Sequence, residues 1–259
     1  MHSPASNSAQ GHNEPSDKAH GKELGGLKKV AILQSNYIPW KGYFDLINSV
    51  DEFIFFDDVQ YTRRDWRNRN KIKTANGLSW LTIPVNVKGQ YHQKIRDTKI
   101  SDKKWANKHW QTIQHNYGKA PYYSQYRDII EDLYRKQVSS LEFLSEINFT
   151  FIKAINELLS IRTCLRWSDE YALAEGKSER LLEICKASQA SHYISGPAAK
   201  DYLDDALFAS SGIQVDWMDY ANYPEYVQDF GAFEHSVTIL DVLFSMGPKA
   251  CDYVKCYGG

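Results

Sequence analysis

Residues 63–73 are the part of this sequence best suited to bind an anion. They include six Lys or Arg residues against one Asp, and Trp66 stands among them. A guanidinium group beside an aromatic plane suits phosphate or carboxylate recognition, because its planar fork makes bidentate, charge-assisted hydrogen bonds. The alternative is a solvated segment whose charges pair with Asp57 and Asp58, and such surface pairs contribute little. We expect the substrate-binding residues of this segment to be Arg67, Asn68, Arg69, Asn70 and Lys71.

A pair of carboxylates, Asp57 and Asp58, directly follows the apolar residues 53–56. If that run is a buried strand, a carboxylate at its end can serve as general base, metal ligand or ribose-hydroxyl acceptor. Asp also ends strands for a local reason, because it forms turns with its own backbone. We predict that Asp57 or Asp58 is catalytic, without choosing between them, and that Gln60 contacts the substrate.

A second polar group follows the first apolar run, residues 30–33. Hydrogen-bonding side chains at the end of a strand can recognise a substrate, and a glycine among them allows close approach of a ligand or of backbone. The alternative is that Gln34 caps the neighbouring strand and that Tyr43 lies in the core. The substrate-binding candidates here are Gln34, Asn36, Tyr37, Gly42 and Tyr43.

The second half of the chain offers fewer candidates. Ser195 and Gly196 precede Pro197 at a predicted strand-to-helix junction, where backbone amides can hold an anion or Ser195 can cap the helix. Tyr223 and Gln228 belong to a loop rich in aromatic and amide side chains, and we count them as substrate-binding. His235, near the last helix, is a candidate acid or base.

The spacing of apolar residues predicts the elements that position these groups. Strands are expected at residues 29–34, 52–56 and 80–85, with a helix at 40–50, and alternation of this kind indicates right-handed crossovers and a parallel sheet. Helical spacing then runs through residues 102–160. Further strands are expected at 163–167, 192–194 and 213–218, and further helices at 178–188, 198–203 and 236–246. The fold class is α/β, with a mainly parallel sheet, flanking helices and an inserted helical subdomain.

Composition limits the classes of protein that fit. The chain has 259 residues and a net charge of −1, so nucleic acid is not an expected partner. Four cysteines show no Cys-x-x-Cys spacing, and we expect no metal site and a reducing cytoplasm. Residues 1–27 read as a disordered tail and 28–259 as one domain. No apolar run reaches the length of a membrane span.

The chain resembles the WbqC-like protein family, whose genes tend to lie among those for O-antigen and other surface polysaccharides. The matching segments are ILQ at residues 32–34 through YIPWKGYF at 37–44, residues 51–60, RNRN at 67–70, YISGP at 193–197, residues 223–233 and DVLF at 241–244. The resemblance implies a cytoplasmic role in making or decorating an amino sugar or similar metabolite, by acyl or aminoacyl transfer. A weaker likeness is to nucleotidyl-transferase-like folds, but Tyr43 stands where those folds have a histidine that holds ATP phosphates.

The leading hypothesis is an enzyme that transfers an acyl or aminoacyl group to an amine on a sugar-derived substrate. Its partner is a small molecule, phosphorylated or nucleotide-linked, and the residues indicate no particular cofactor. One alternative is an ATP-dependent ligase that activates a carboxylate as an adenylate. Another is a non-catalytic adaptor that binds a glycan precursor through exposed aromatic residues.

Overall fold

The protein is described by a computed structural model that covers residues 27–172 and 174–254. The predicted disordered tail, residues 1–27, lies outside these ranges except for Leu27. In the described ranges, no helix combines the length and the apolar character that a bilayer span requires.

Seven strands within the described ranges form a five-stranded parallel sheet and a two-stranded antiparallel hairpin. In chain order they are β1 (Lys29–Leu33), β2 (Glu52–Phe55), β3 (Arg69–Thr74), β4 (Gly77–Thr82), β5 (Cys164–Trp167), β6 (His192–Ser195) and β7 (Gln214–Trp217). The order in the sheet is β5-β2-β1-β6-β7. The predicted α/β fold with a mainly parallel sheet is therefore confirmed. The strand order reverses between β1 and β6, and open α/β sheets bind ligands at the carboxyl end of such a point.

The described ranges also contain seven α-helices. They are α1 (Lys41–Asn48), α2 (Trp105–Tyr117), α3 (Tyr123–Asp132), α4 (Leu144–Leu158), α5 (Lys177–Ala187), α6 (Asp205–Ser210) and α7 (Ile239–Met246). A π-helical turn, Leu133–Gln137, continues α3. Helices α2 to α4 lie in the segment with predicted helical spacing, whereas α6 was not predicted, and the helix expected at residues 198–203 is a short 3₁₀ helix, Pro197–Asp201.

Alternate residues of the central strands point to opposite faces of the sheet, and each face has its own core. Ala31 and Phe53 pack with α1 and with the aromatic residues of α2 to α4. Val30, Ile32 and Ile54 face the other way and pack against α5 and α6. Both faces of β1 and β2 are buried, which explains why their sequences are apolar after the first residue of each strand.

The β3–β4 hairpin differs from the prediction. Residues 80–85 were expected as a third parallel strand and residues 63–73 as a basic loop, but β4 pairs antiparallel with β3, and Lys71 lies opposite Trp80. Thr74 pairs with Gly77 across a two-residue connection, and Gly77 has a φ of 98°, which glycine adopts without strain. Because Ile72 is the one large apolar residue of β3, the strand lacks a hydrophobic alternation that would reveal it.

Candidate functional site

A cavity of about 290 Å³ opens at the loop that follows β1, next to the point where the strand order reverses. Its lining residues are Asn36, Pro39, Trp40, Trp66, Asn70 and Ser236. We call it the tryptophan cleft. Three separate segments build it, namely the loop after β1, the segment leading into and along β3, and the loop before α7. Two predicted substrate-binding residues, Asn36 and Asn70, lie in its wall.

Trp40 forms one wall of the cleft, and Gly42 allows its ring to lie there. Trp40 is the extended residue that precedes α1. A Cβ atom on residue 42 would lie 2.4 Å from the Trp40 ring, well inside the contact distance of two carbon atoms. The rings of Tyr220 and Tyr223 meet the indole edge-on, with centroids 5.3 and 5.7 Å away. Gly42 therefore shapes the cleft through Trp40.

Asn70 holds the loop after β1 in place. Its Nδ2 donates to the carbonyl oxygens of Tyr37 (3.1 Å) and Ile38 (2.8 Å), and its Oδ1 accepts from the Lys71 amide. Ile38 has a φ of 34°, an unusual value for a β-branched residue that costs on the order of 1–3 kcal/mol. The Asn70 side chain is thus engaged in stabilising a strained loop at the cleft.

Arg67 joins that loop to the start of β3. Its guanidinium donates to the carbonyl oxygens of Gln34 (3.4 Å) and Ser35 (3.5 Å) and to Oδ1 of Asn36. The Asp65 carboxylate lies 3.8 Å from its Nε. Among the described residues, the side-chain amide of Gln34 and the Nδ2 of Asn36 have no hydrogen-bond partner, so both are available to a ligand.

Lys71 and Arg69 lie beside two tryptophans on the hairpin. Lys71 Nζ is 3.3 Å from Ser236 Oγ and is 5.7 and 5.5 Å from the ring centroids of Trp66 and Trp80. The Arg69 guanidinium carbon lies 4.1 Å from the Trp80 ring centroid, a cation–π distance. Asn68 is a structural neighbour, because it is buried and its Nδ2 donates to the Ile83 carbonyl at 2.8 Å.

Residues 218–238 form an irregular loop that closes one side of the cleft. At its end the Thr238 amide donates to the Lys71 carbonyl and the Ile239 amide to the Pro39 carbonyl, both at 2.9 Å. Gln228 holds the loop from inside, since its Nε2 donates to the Asp241 carboxylate and its Oε1 accepts from the Glu234 amide. The Gln228 side chain is therefore occupied by the protein itself.

Asp241, at the start of α7, is the buried anchor of this loop. It accepts hydrogen bonds from Tyr117 of α2 (2.8 Å), from Tyr226 (2.7 Å) and from Gln228 (2.8 Å). Burial raises the pKa of the Asp241 carboxyl, and these three hydrogen bonds oppose the rise. The carboxylate thus collects donors from α2 and from the loop at one point.

Lys41 occupies an aromatic cage beneath the loop. Its Nζ donates to the Pro224 carbonyl (3.0 Å) and lies 5.2 to 5.4 Å from the ring centroids of Tyr223, Tyr226 and Phe233. Burial lowers the pKa of Lys41 to about 8. Tyr223, a predicted substrate-binding residue, instead packs between Trp40 and Lys41.

His235 adjoins Ser236 of the tryptophan cleft in the chain. Its ring meets the Phe233 ring edge-on at 4.6 Å, and its Nδ1 is shielded from solvent without a hydrogen-bond partner among the described residues. Burial, helped by the positive charge of Lys41, lowers the pKa of His235. The imidazole is therefore neutral at pH 7 and can accept a proton.

Asp57 and Asp58 line a second cavity, of about 380 Å³, between the ends of β2 and β5. Its other lining residues are Arg96, Asp97, Phe143, Ser145, Glu146, Trp167, Ser168 and Asp169. We call it the acidic cavity. In the described part of the chain, no three His, Cys, Asp or Glu side chains are grouped as metal ligands.

The two carboxylates of the acidic cavity differ in the direction in which their pKa values are shifted. Asp57 is buried, accepts from the Ser35 amide (2.8 Å) and from the Ser145 hydroxyl, and has its pKa raised by burial. Burial also acts to raise the pKa of Asp58, but hydrogen bonds from Ser168 and Arg96 outweigh it and the pKa is lowered. Asp58 is therefore an ionised, paired carboxylate and a weak base.

The structure places the predicted site residues in two separate cavities. Asp57 and Asp58 line the acidic cavity, whereas Asn36 and Asn70 line the tryptophan cleft. Gln60 lies on the surface, where its Nε2 donates to the Tyr91 carbonyl at 2.7 Å.

The junction after β6 lies near the cleft without lining it. Ser195 is buried, and Gly196, not Ser195, is the residue that precedes the 3₁₀ helix with Pro197 at its start. An added Cβ on Gly196 would lie 3.7 Å from the Tyr220 hydroxyl, an ordinary contact. Tyr220, which also packs on Trp40, therefore links this junction to the cleft.

Tyr37 and Tyr43 are both in the interior. The Tyr37 hydroxyl is shared with His109 Nδ1 (2.8 Å) and with the Tyr134 hydroxyl, and His109 Nε2 lies 3.2 Å from the Thr82 carbonyl. We call Tyr37, His109 and Tyr134 the buried network. The Tyr43 hydroxyl donates to the Gln34 carbonyl at 3.0 Å. Neither ring has a surface that a ligand can touch.

Several residues of this region are not among the site residues predicted from the sequence. They are Trp40, Lys41, Trp66, Trp80, Ser236 and Asp241. The dipeptide Asn76-Gly77 is a hairpin signal that could have indicated the β3–β4 pair, but not its register, because the connection is Ala75-Asn76 and Gly77 pairs with Thr74. Lys41 had no such signal, because its partner Pro224 is 183 positions away in the chain.

Comparisons with known proteins give the following similarities. A family model described as WbqC-like protein family matches residues 34–253. A curated protein of Mycobacterium tuberculosis (strain ATCC 25618 / H37Rv), "Uncharacterized protein Rv1507c", is 49% identical over 229 residues, which cover 88% of this chain and 98% of that protein. No solved structure matches.

Proposed function

This chain belongs to the WbqC-like protein family, and we propose that it is a cytoplasmic enzyme of surface-polysaccharide or related small-molecule biosynthesis. It transfers an acyl or aminoacyl group to an amine of a sugar-derived substrate. One observation carries the proposal: the tryptophan cleft lies where the strand order reverses, and its wall contains Ser236, which contacts Lys71 and is the chain neighbour of His235. Among the described residues, Cys164, Cys185 and Cys251 are free thiols.

The cleft suits a sugar ring in its size and chemistry. Indole faces such as those of Trp40 and Trp66 pack against the apolar faces of sugars, and a few polar groups fix the orientation. The free Nδ2 of Asn36, in the cleft wall, is a donor available for a sugar hydroxyl, and the side-chain amide of Gln34 lies in the same loop. Lys71, at the rim, supplies a positive charge for a phosphate on the substrate.

In this proposal His235 is the general base. The substrate amine attacks the carbonyl carbon of the donor, a carbon–nitrogen bond forms, and the bond between that carbon and the leaving group breaks. His235 takes the proton that the nitrogen loses and returns it to the leaving group, so the imidazole ends neutral. A base that is neutral at the working pH is what this step needs, and the lowered pKa of His235 meets that need.

The carboxylates are weaker choices for this role. Asp58 is held by Ser168, Arg96 and Lys94, and its lowered pKa makes it a poor proton acceptor. Asp57 has a raised pKa, but its two oxygens accept from Ser35 and Ser145 in the interior. We therefore assign Asp57 and Asp58 to the acidic cavity and leave proton transfer to His235.

The proposal is tested by pairing acceptors with donors. Nucleotide-linked amino sugars and amino-sugar phosphates are each incubated with the protein and with acetyl-coenzyme A, or with amino acids plus ATP. We expect one pairing to give an amide product by mass spectrometry. The variant His235→Gln should lower kcat at least about a hundredfold, the usual contribution of a general base, whereas His115→Gln, an exposed control, should not. Absence of product from every pairing, or full activity of His235→Gln, would contradict the proposal.

A further inference from the structure

We propose that the outer face of the β3–β4 hairpin binds the nucleoside diphosphate group of the ligand. This inference rests on the proposed function for the sugar in the tryptophan cleft, and it adds the class of molecule to which that sugar is attached. The nucleobase stacks on Trp80, the diphosphate lies at Lys71 and Arg69, and the sugar enters the cleft past Trp66.

The register of the hairpin places these groups together. Side chains alternate along a strand, so Arg69 and Lys71 share one face of β3, and Trp80, opposite Lys71, lies on the same face of β4. Asn70 and Ile72 point the other way and are buried. The cationic and aromatic side chains of the hairpin are therefore concentrated on its outer face.

In the part of the chain that the structure describes, most cations of this segment have no carboxylate in direct contact, although the charges of Lys71 and Lys73 act on Glu234 and Asp241 at longer range. Of the six Lys and Arg residues at positions 63–73, Arg67 alone has a carboxylate among the described residues within 4.0 Å, that of Asp65 at 3.8 Å. Asp58, the nearest carboxylate in the sequence outside the segment, pairs with Lys94 and Arg96 instead. In a protein with a net charge of −1, such a cluster indicates a local anion site.

Two exposed tryptophans stand beside these cations. Trp66 and Trp80 are 37% and 43% exposed, and their ring centroids are 5.4 Å apart. Solvent-exposed indole rings next to cations provide a surface on which a nucleobase can stack, and such stacking contributes favourably to binding. The Nε of Arg69 is buried without a hydrogen-bond partner among the described residues, so the protein does not saturate this guanidinium.

The hairpin face continues into the cleft. Trp66 belongs to both, and Lys71 Nζ contacts Ser236 of the cleft wall at 3.3 Å. An anion at Lys71 therefore lies between the stacking surface and the cleft. The base site, the anion site and the sugar site follow one another in the same order as the groups of a nucleotide-linked sugar. ADP and coenzyme A also contain a nucleoside diphosphate, so both belong to the same class of ligand.

Calorimetric titration tests the inference with uridine diphosphate, ADP and coenzyme A, compared with uridine and inorganic pyrophosphate. We expect at least one of the first three ligands to bind about tenfold tighter than uridine or pyrophosphate alone. The variants Trp80→Ala and Lys71→Gln should each weaken that binding about tenfold, whereas Trp80→Phe and Lys71→Arg should stay within about threefold. A preference for uridine diphosphate favours a nucleotide-linked sugar, and a preference for coenzyme A favours a donor site.

Lys200→Gln is the matched control, because Lys200 lies 5.4 Å from the ring of Trp217 in a similar cation–π pair after β6. It should leave the affinity unchanged. No binding of any nucleoside diphosphate, or equal weakening by Lys200→Gln and Lys71→Gln, would overturn the inference. The binding site and the transfer reaction can be refuted independently. Binding of a nucleoside diphosphate without an amide product would refute the reaction but not the site. Acylation of sugar phosphates without nucleoside diphosphate binding would refute the site but not the reaction.

Discussion

The buried network gives a sharp prediction about stability and pH. His109 Nε2 faces the Thr82 carbonyl, so it carries the proton, and Nδ1 accepts from the Tyr37 hydroxyl. A second proton on Nδ1 would meet that hydroxyl and would place a charge in the interior. Burial accordingly lowers the pKa of His109 to about 4. We predict that acidification unfolds the protein partly through this one residue.

The magnitude follows from proton linkage. In the unfolded chain His109 titrates at its usual 6.5, and in the folded chain at about 4, so the unfolded state binds more protons between these values. Stability therefore rises with pH across this window and is lost as the pH falls. At pH 5 the loss is about 2 kcal/mol relative to pH 7.5, since each pH unit below 6.5 costs about 1.4 kcal/mol.

Urea unfolding at several pH values measures this effect. The variant His109→Gln should be less stable at pH 7.5, but its disadvantage relative to wild type should shrink by about 2 kcal/mol at pH 5, because the variant lacks the titrating group. His115→Gln, an exposed change on the same helix, should run parallel to wild type. A His109→Gln curve that also runs parallel to wild type between pH 7.5 and pH 5 would refute the reasoning.

Three further predictions concern the cleft and its supports. Gly42→Ala should push the Trp40 ring out of place and lower stability by about 1–2 kcal/mol in urea unfolding. It should weaken the binding of a nucleotide-linked sugar more than that of the nucleoside diphosphate alone, and an unchanged affinity for the sugar ligand would contradict the role of Trp40 as a wall. Asp241→Ala should lower the free energy of unfolding by about 3 kcal/mol in the same assay, because three donors lose their acceptor. Asp252→Ala, at an exposed residue, should leave the free energy of unfolding almost unchanged. Asp58→Asn should destabilise the protein by about 1–2 kcal/mol at pH 7. The difference from wild type should shrink only as the pH falls below 3.8, the ordinary pKa of Asp, because the folded carboxylate with its lowered pKa stays ionised to lower pH than the unfolded one; a difference that does not change as the pH falls below 3.8 would disprove this.

The local pattern of apolar residues was sufficient to predict the central strands but not the β3–β4 hairpin. Val30 to Ile32 and Phe53 to Phe55 are apolar on both faces, so their place in a parallel sheet could be predicted. Strand β3 is buried by contacts with distant segments, such as the hydrogen bonds of Asn70 to the loop after β1. Such contacts cannot be predicted from the basic sequence of the strand.

In the candidate site, too, local features could be predicted from the sequence and long-range contacts could not. Polar residues at the ends of β1 and β2 could be named from the sequence, because strand ends are predictable to within a residue or two. Their partners could not be named: Asp57 accepts from Ser145, 88 positions away, and Asp58 pairs with Arg96, 38 positions away. These long-range bonds assign the carboxylates to the acidic cavity and keep them out of the tryptophan cleft.

The backbone bonds from Thr238 to Lys71 and from Ile239 to Pro39 have a consequence for the order of assembly. All five strands of the parallel sheet are complete once the ribosome has released Trp217, but the cleft gains its last wall only when α7 docks. A chain still in synthesis can therefore hold a finished sheet and an unfinished binding site. Since a ligand stabilises only the state that binds it, occupancy of the cleft favours the docked last helix and protects it against local opening.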